Sequence, residues 1–76
     1  MTDMQSLGVV AVIGGTGSEG SGFAMRWAQA GLDIVIGSRR TEKGERVAAE
    51  LRAKLGDVKL RGASNLEAAQ MADVVV

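Results

Sequence analysis

The run Val9-Val10-Ala11-Val12-Ile13 passes without a break into Gly14-Gly15-Thr16-Gly17-Ser18-Glu19-Gly20-Ser21-Gly22. Few folds accommodate a short apolar strand that ends in a cluster of glycines. Leu7 to Ile13 is nearly all apolar and rich in Val and Ile, the composition of a parallel strand covered on both faces. After the glycines, Phe23, Ala24, Trp27, Ala28 and Gly31 recur at helical spacing, with Arg26 and Gln29 opposite. That pattern predicts a helix from Glu19 to Ala30, closed by Gly31. It places Phe23 and Trp27 on the face turned to the core, and Met25 and Met71 are likewise read as packing residues.

The alternation continues along the chain. Asp33 to Ile36 reads as a second strand that ends at a turn, Gly37-Ser38. Thr41 to Leu55 reads as a helix, with Val47, Leu51 and Leu55 at intervals of four, Thr41 as its N-cap and Gly56 as its stop. Glu42 with Arg46, and Glu50 with Lys54, are favourable i,i+4 pairs on its wet side. Val58 to Arg61 alternates as a third strand, Asn65 caps a brief helix through Met71, and Asp73 opens a fourth strand, Val74-Val75-Val76. Asp73 is read there as a turn residue and not as a catalytic acid.

Strands that alternate with helices imply parallel neighbours joined by right-handed crossovers, because a two-residue hairpin cannot link parallel strands. The expected fold is α/β: a Rossmann-type doubly wound parallel sheet of order 3-2-1-4, N-terminal half only. On this reading residues 1 to 76 are one portion of a single dinucleotide-binding domain, interrupted in its fourth strand. Three valines in a buried terminal strand leave an apolar edge, so a fragment of a longer parent is expected. At 76 residues the isolated chain has little core of its own.

Composition removes several classes of function. Lys and Arg number 9 and Asp and Glu 9, so the net charge is zero and the footprint of a nucleic-acid or anionic-membrane binder is missing. The chain has no Cys, His or Tyr, which excludes disulfides, thiolate metal sites and His- or Tyr-based acid–base chemistry from its own residues. Accordingly, no catalytic residue and no metal ligand is assigned. No apolar run approaches the roughly 20 residues of a membrane span, and Met1 to Ser6 lacks a signal-peptide pattern, so a cytoplasmic protein is expected.

Gly15-Thr16-Gly17-Ser18-Glu19-Gly20 satisfies G-x-G-x-x-G, and each glycine has a task in the chemistry of a dinucleotide. Gly15 permits the tight turn, Gly17 lets a pyrophosphate approach backbone N–H groups, and Gly20 keeps the helix close to the sheet, with Ala24 one turn on. The helix start adds free N–H donors and a positive dipole end. Alone the motif is weak; after an apolar strand, opening an amphipathic helix, it points to dinucleotide binding. A P-loop is disfavoured, since no Gly-Lys-Ser/Thr follows.

The end of the second strand decides which dinucleotide. NAD-binding domains place an Asp or Glu there, about 20 residues after the glycines, for the ribose hydroxyls. Eighteen positions after Gly20 stands Ser38, followed by Arg39 and Arg40, with Lys43 one helical turn further. A hydroxyl and cations in place of a carboxylate suit a 2′-phosphate. The cofactor-binding set is therefore Gly15, Thr16, Gly17, Ser18, Glu19, Gly20, Ser38, Arg39, Arg40 and Lys43, and the expected cofactor is NADP. The plainer reading of Arg39, Arg40 and Lys43 is a solvated surface cluster.

The run from Ile13 through Gly14, Gly15, Thr16, Gly17, Gly20, Gly22, Ala24 and Arg26, followed by Ile34-Val35-Ile36-Gly37-Ser38-Arg39-Arg40 and Lys43, resembles the NADPH-dependent reductases of the deazaflavin coenzyme F420. Gly22 and the Gly-Ser-Arg-Arg turn are the more specific parts. The resemblance implies direct hydride transfer between the nicotinamide and the deazaflavin, which needs alignment more than an acid or base. It also implies that Thr16, Ser38, Arg39 and Lys43 recognise the NADP phosphates, the last three around the 2′-phosphate. A homodimer that takes small-molecule cofactors is implied as well, while the charge balance already argues against nucleic-acid and membrane partners. Gly14-x-x-Gly17-x-x-Gly20 equally fits the G-x-x-G-x-x-G spacing of atypical short-chain reductases and of NADP-sensing regulators. A purely structural or designed fragment that binds nothing is a third reading.

Overall fold

A computed structural model of the chain describes residues 8–14 and 17–76, the side chains of Ser18 and Glu19 excepted. Its elements run β1 (Val9–Ile13), α1 (Ser18–Gln29), β2 (Asp33–Ser38), α2 (Thr41–Leu55), β3 (Leu60–Ser64), α3 (Asn65–Met71) and β4 (Val74–Val75). The four strands form one parallel sheet in the order β3-β2-β1-β4. This is the expected topology. Val10 pairs with Ile34 and with Val74, and Ile34 pairs with Leu60, so the apolar centres of the strands lie side by side.

Alternation along each strand divides the core into two layers. On one face Val10, Val12, Ile34, Ile36 and Leu60 pack against Ala24 and Ala28 of α1 and Ala48 and Leu51 of α2. The other face is built from small residues, Ala11, Val35 and Ala63, with Ala68 of α3 laid on them. Helices on both faces of a parallel sheet are the doubly wound arrangement.

Several local expectations are corrected. β2 runs two residues beyond Ile36, so Gly37 and Ser38 belong to the ladder, paired with Ile13 and with Ala63 and Ser64. β3 begins at Leu60, and Val58 packs on the core from outside the strand. Gly62 has poor intrinsic strand propensity, which hides the second half of β3 from a pattern search. It stands there because a Cβ would run into the backbone of Gly44, and a Cβ on Gly44 would in turn meet the Ala63 carbonyl oxygen at 2.6 Å. The two glycines bring α2 directly onto β3. Arg52 Nη1 then donates to the Leu60 carbonyl at 2.7 Å and ties the other end of that helix to the same strand.

The caps also differ in detail. α2 is preceded by Arg40 in extended conformation, and Thr41 is its first helical residue. α3 is capped by Ser64, not Asn65: Ser64 Oγ accepts from the Glu67 N–H and Glu67 reaches back to the Ser64 N–H, a reciprocal capping box. Asp73 acts as a turn residue. Its Oδ2 accepts the Val9 N–H at 2.9 Å while its own N–H donates to the Val9 carbonyl at 2.8 Å. The valines expected in a buried strand are exposed, at 37%, 53% and 56% for Val74, Val75 and Val76. Phe23 and Met71 are exposed too, so neither is the core residue the spacing predicted.

Candidate functional site

The carboxyl ends of β1 and β2 carry the site. Ile13 is followed by Gly14 at φ +70, a conformation that L side chains rarely adopt. The Gly17 N–H donates back to the Gly14 carbonyl at 3.2 Å, and Gly17 then becomes the N-cap of α1. The first helical bond runs from the Ser21 N–H to the Gly17 carbonyl. The N–H groups before it have no acceptor within the helix, the arrangement that accepts a phosphate. Gly15 and Thr16 lie outside the described residues, as do the side chains of Ser18 and Glu19. Among the described residues of this turn, the positive φ belongs to Gly14.

Two cavities flank this turn. One, of about 500 Å³, is lined by Val12, Ile13, Gly14, Gly17, Gly20, Phe23 and Val76. It opens between β1 and β4, where the strand order reverses and where open α/β sheets bind their ligands. Phe23 is 47% exposed here and stacks on Trp27, with ring centroids 5.5 Å apart. Its helical position groups it with Arg26 and Ala30 more than with Ala24 and Ala28, a signal that the simple count of apolar spacings passes over.

The second cavity, of about 370 Å³, is lined by Gly14, Ser38, Arg39, Arg40, Lys43 and Asn65. β2 brings Ser38 to its rim as a residue only 3% exposed, and the chain then emerges into solvent at Arg39 and Arg40. Lys43 follows on the first turn of α2. Three cations and one hydroxyl thus surround a single concavity, with no carboxylate in its lining among the described residues. Such a set attracts a phosphate monoester and would grip it by charge-assisted hydrogen bonds. Gly14 belongs to both cavities. A ligand with two phosphate groups at separate places would span them.

Asn65, read from sequence as a helix cap, instead lines the second cavity, and its Oδ1 accepts the Gly14 N–H at 3.2 Å. Beside it Thr41 Oγ1 donates to Glu67 Oε1 at 3.0 Å. Hydrogen bonds from Ser64 first, and then from Thr41, hold the Glu67 carboxyl below the usual carboxylate range. No helix among the described residues is long and apolar enough to cross a membrane.

A parallel sheet of this order, with a glycine turn and a basic pocket at its carboxyl edge, is the first half of a Rossmann-type α/β fold. The chain belongs to the family described as NADP oxidoreductase, coenzyme F420-dependent, whose profile matches residues 9–76. It is 48% identical over 69 residues to an F420-dependent NADP reductase of Methanothermobacter thermautotrophicus, covering 88% of this chain and 30% of that protein. The reductase of the same name from Methanothermobacter marburgensis is 45% identical over 69 residues, covering 88% and 31%. That of Methanocaldococcus jannaschii is 38% identical over 71 residues, with the same coverage of 88% and 31%. The chain therefore spans about a third of the length of the curated relatives it matches.

Proposed function

We propose that this chain forms the NADP-holding part of an oxidoreductase that moves hydride between NADP(H) and the deazaflavin coenzyme F420. The observation that carries the reading is the second cavity. Ser38, Arg39, Arg40 and Lys43 converge there, at the strand end where an NAD-specific protein carries an acidic residue. Ser38, Arg39 and Lys43 would take the 2′-phosphate, with Arg40 beside them. Gly15, Thr16, Gly17, Ser18, Glu19 and Gly20 would take the pyrophosphate, against the free N–H groups at the start of α1. Bound NADPH supplies the hydride; the residues of this chain bind and orient it. The names of the relatives support F420 as the other reactant. The family resemblance of the sequence implies a homodimer, and a cytoplasmic location is proposed with it.

Calorimetric titration of the full-length protein with NADP⁺ and with NAD⁺ tests the reading. NADP⁺ binds more tightly, and Arg39→Ala removes about 1.5–3 kcal/mol of that preference, the worth of a hydrogen bond to a charged group. Equal affinity for the two nucleotides in the unaltered protein would sink it.

A further inference from the structure

A Cβ placed on Gly14 would meet nothing within 4 Å among the described residues, so no side chain described here wedges that position. Its φ is positive, and among the described residues two hydrogen bonds hold it: the Gly17 N–H donates to its carbonyl from the start of α1, and its own N–H donates across the sheet end to Asn65 Oδ1. Two residues along the same helix, Glu67 accepts the hydroxyl of Thr41, the residue directly after Arg40. Glu67 is itself fixed by the Ser64 capping box. α3 comes this close to the strand ends because Gly37 leaves room. A Cβ on Gly37 would meet Asn65 Oδ1 at 2.8 Å and Ala68 Cβ at 3.1 Å, and Ala68 is fully buried.

We infer that the first turn of α3 is a brace that positions both phosphate-binding segments, Asn65 setting the glycine turn and Glu67, through Thr41, setting the basic turn. The inference rests on the NADP reading above. The two arms of the brace act on different parts of the ligand. The glycine turn serves the pyrophosphate, which NADP and NAD share, whereas the basic turn serves the 2′-phosphate, which only NADP carries. Asn65 and Glu67 are positioning residues: each acts through another segment.

The test is calorimetric titration of full-length variants with NADP⁺ and NAD⁺, paired with the Gly14 amide signal in a ¹⁵N spectrum recorded without nucleotide. Asn65→Ala weakens both nucleotides by a similar factor, roughly tenfold for one hydrogen bond, and leaves their ratio unchanged. Thr41→Val weakens NADP⁺ roughly fivefold, leaves NAD⁺ nearly unchanged, and is rescued by Thr41→Ser, which keeps the hydroxyl. Loss of NADP⁺ binding alone in Asn65→Ala would overturn the inference, since it would make Asn65 a direct phosphate contact. Equal effects of Thr41→Val on both nucleotides, or none, would overturn it as well. The amide signal decides the Asn65 arm without any ligand: the Gly14 proton exchanges faster in Asn65→Ala and stays protected in Asn65→Asp, which retains Oδ1. Unchanged exchange in Asn65→Ala removes that arm. If the unaltered protein shows no preference for NADP⁺, the functional reading fails while the amide measurement still stands.

Discussion

Among the glycines, those that face empty space and those that face backbone have opposite consequences. Gly22 lies inside α1, where a methyl in place of its hydrogen would meet nothing within 4 Å, and its φ is not in the left-handed region. Nothing among the described residues requires glycine there, so Gly22→Ala raises stability by about 0.5–1 kcal/mol in urea unfolding, from the helix propensity alone. A loss of stability would show that a further contact occupies that space. Gly62→Ala does the reverse, because its methyl meets the Gly44 backbone and α2 must lift from β3. That overpacking costs about 1–3 kcal/mol in the same measurement, and a neutral result would mean the layers are not in register as described. Ser38, Arg39, Arg40 and Lys43 are legible from counting along the chain, because position relative to a strand end follows from sequence distance. Asn65 is not. Its role depends on Gly14, 51 residues earlier, and no local pattern encodes which amide a helix will reach.

At the scale of elements, each predicted strand and helix exists, and the errors lie at boundaries set by tertiary contacts. β2 continues because Gly37 finds ladder partners on both sides, in β1 and β3, and Ser38 finds one in β3. β3 slides toward Ser64 for the same reason, against the propensity of Gly62. α3 is the shortest helix among the described residues and is tied through Ser64, Asn65 and Glu67. The depressed pKa of Glu67 gives this element a pH signature. The folded state favours the carboxylate, so the contribution is fully present above the unfolded value of about 4.3 and is lost as pH falls through the lower folded value. Stability measured between about pH 5 and about pH 3 therefore falls less steeply in Glu67→Gln than in the unaltered protein. Parallel acid slopes would show that the capping box opens in solution.

At the largest scale, the nine cations of this chain balance its nine anions, so its net charge adds no long-range attraction for anionic ligands. The attraction is local, at Arg39, Arg40 and Lys43. Salt separates this from a global effect: raising ionic strength from about 0.05 to about 0.5 M weakens NADP⁺ markedly and NAD⁺ little, since only the 2′-phosphate meets the exposed cations. Equal salt slopes would remove the clamp. The division of the sheet into a face of large residues and a face of small ones is not visible in the strands alone, because a strand covered on both sides reads as continuously apolar. It requires knowing which helix lies where.

The ladder that carries β2 through Ser38 has a thermodynamic consequence. Because Ser38 is held in the ladder beside Ser64 of β3 and Arg40 already leads into α2, the backbone that presents the cations loses its conformational entropy when the protein folds. When a phosphate arrives, only the rotamers of Arg39, Arg40 and Lys43 remain to be ordered. A flexible loop with the same three side chains would bind the same charge more weakly, for want of that prior order.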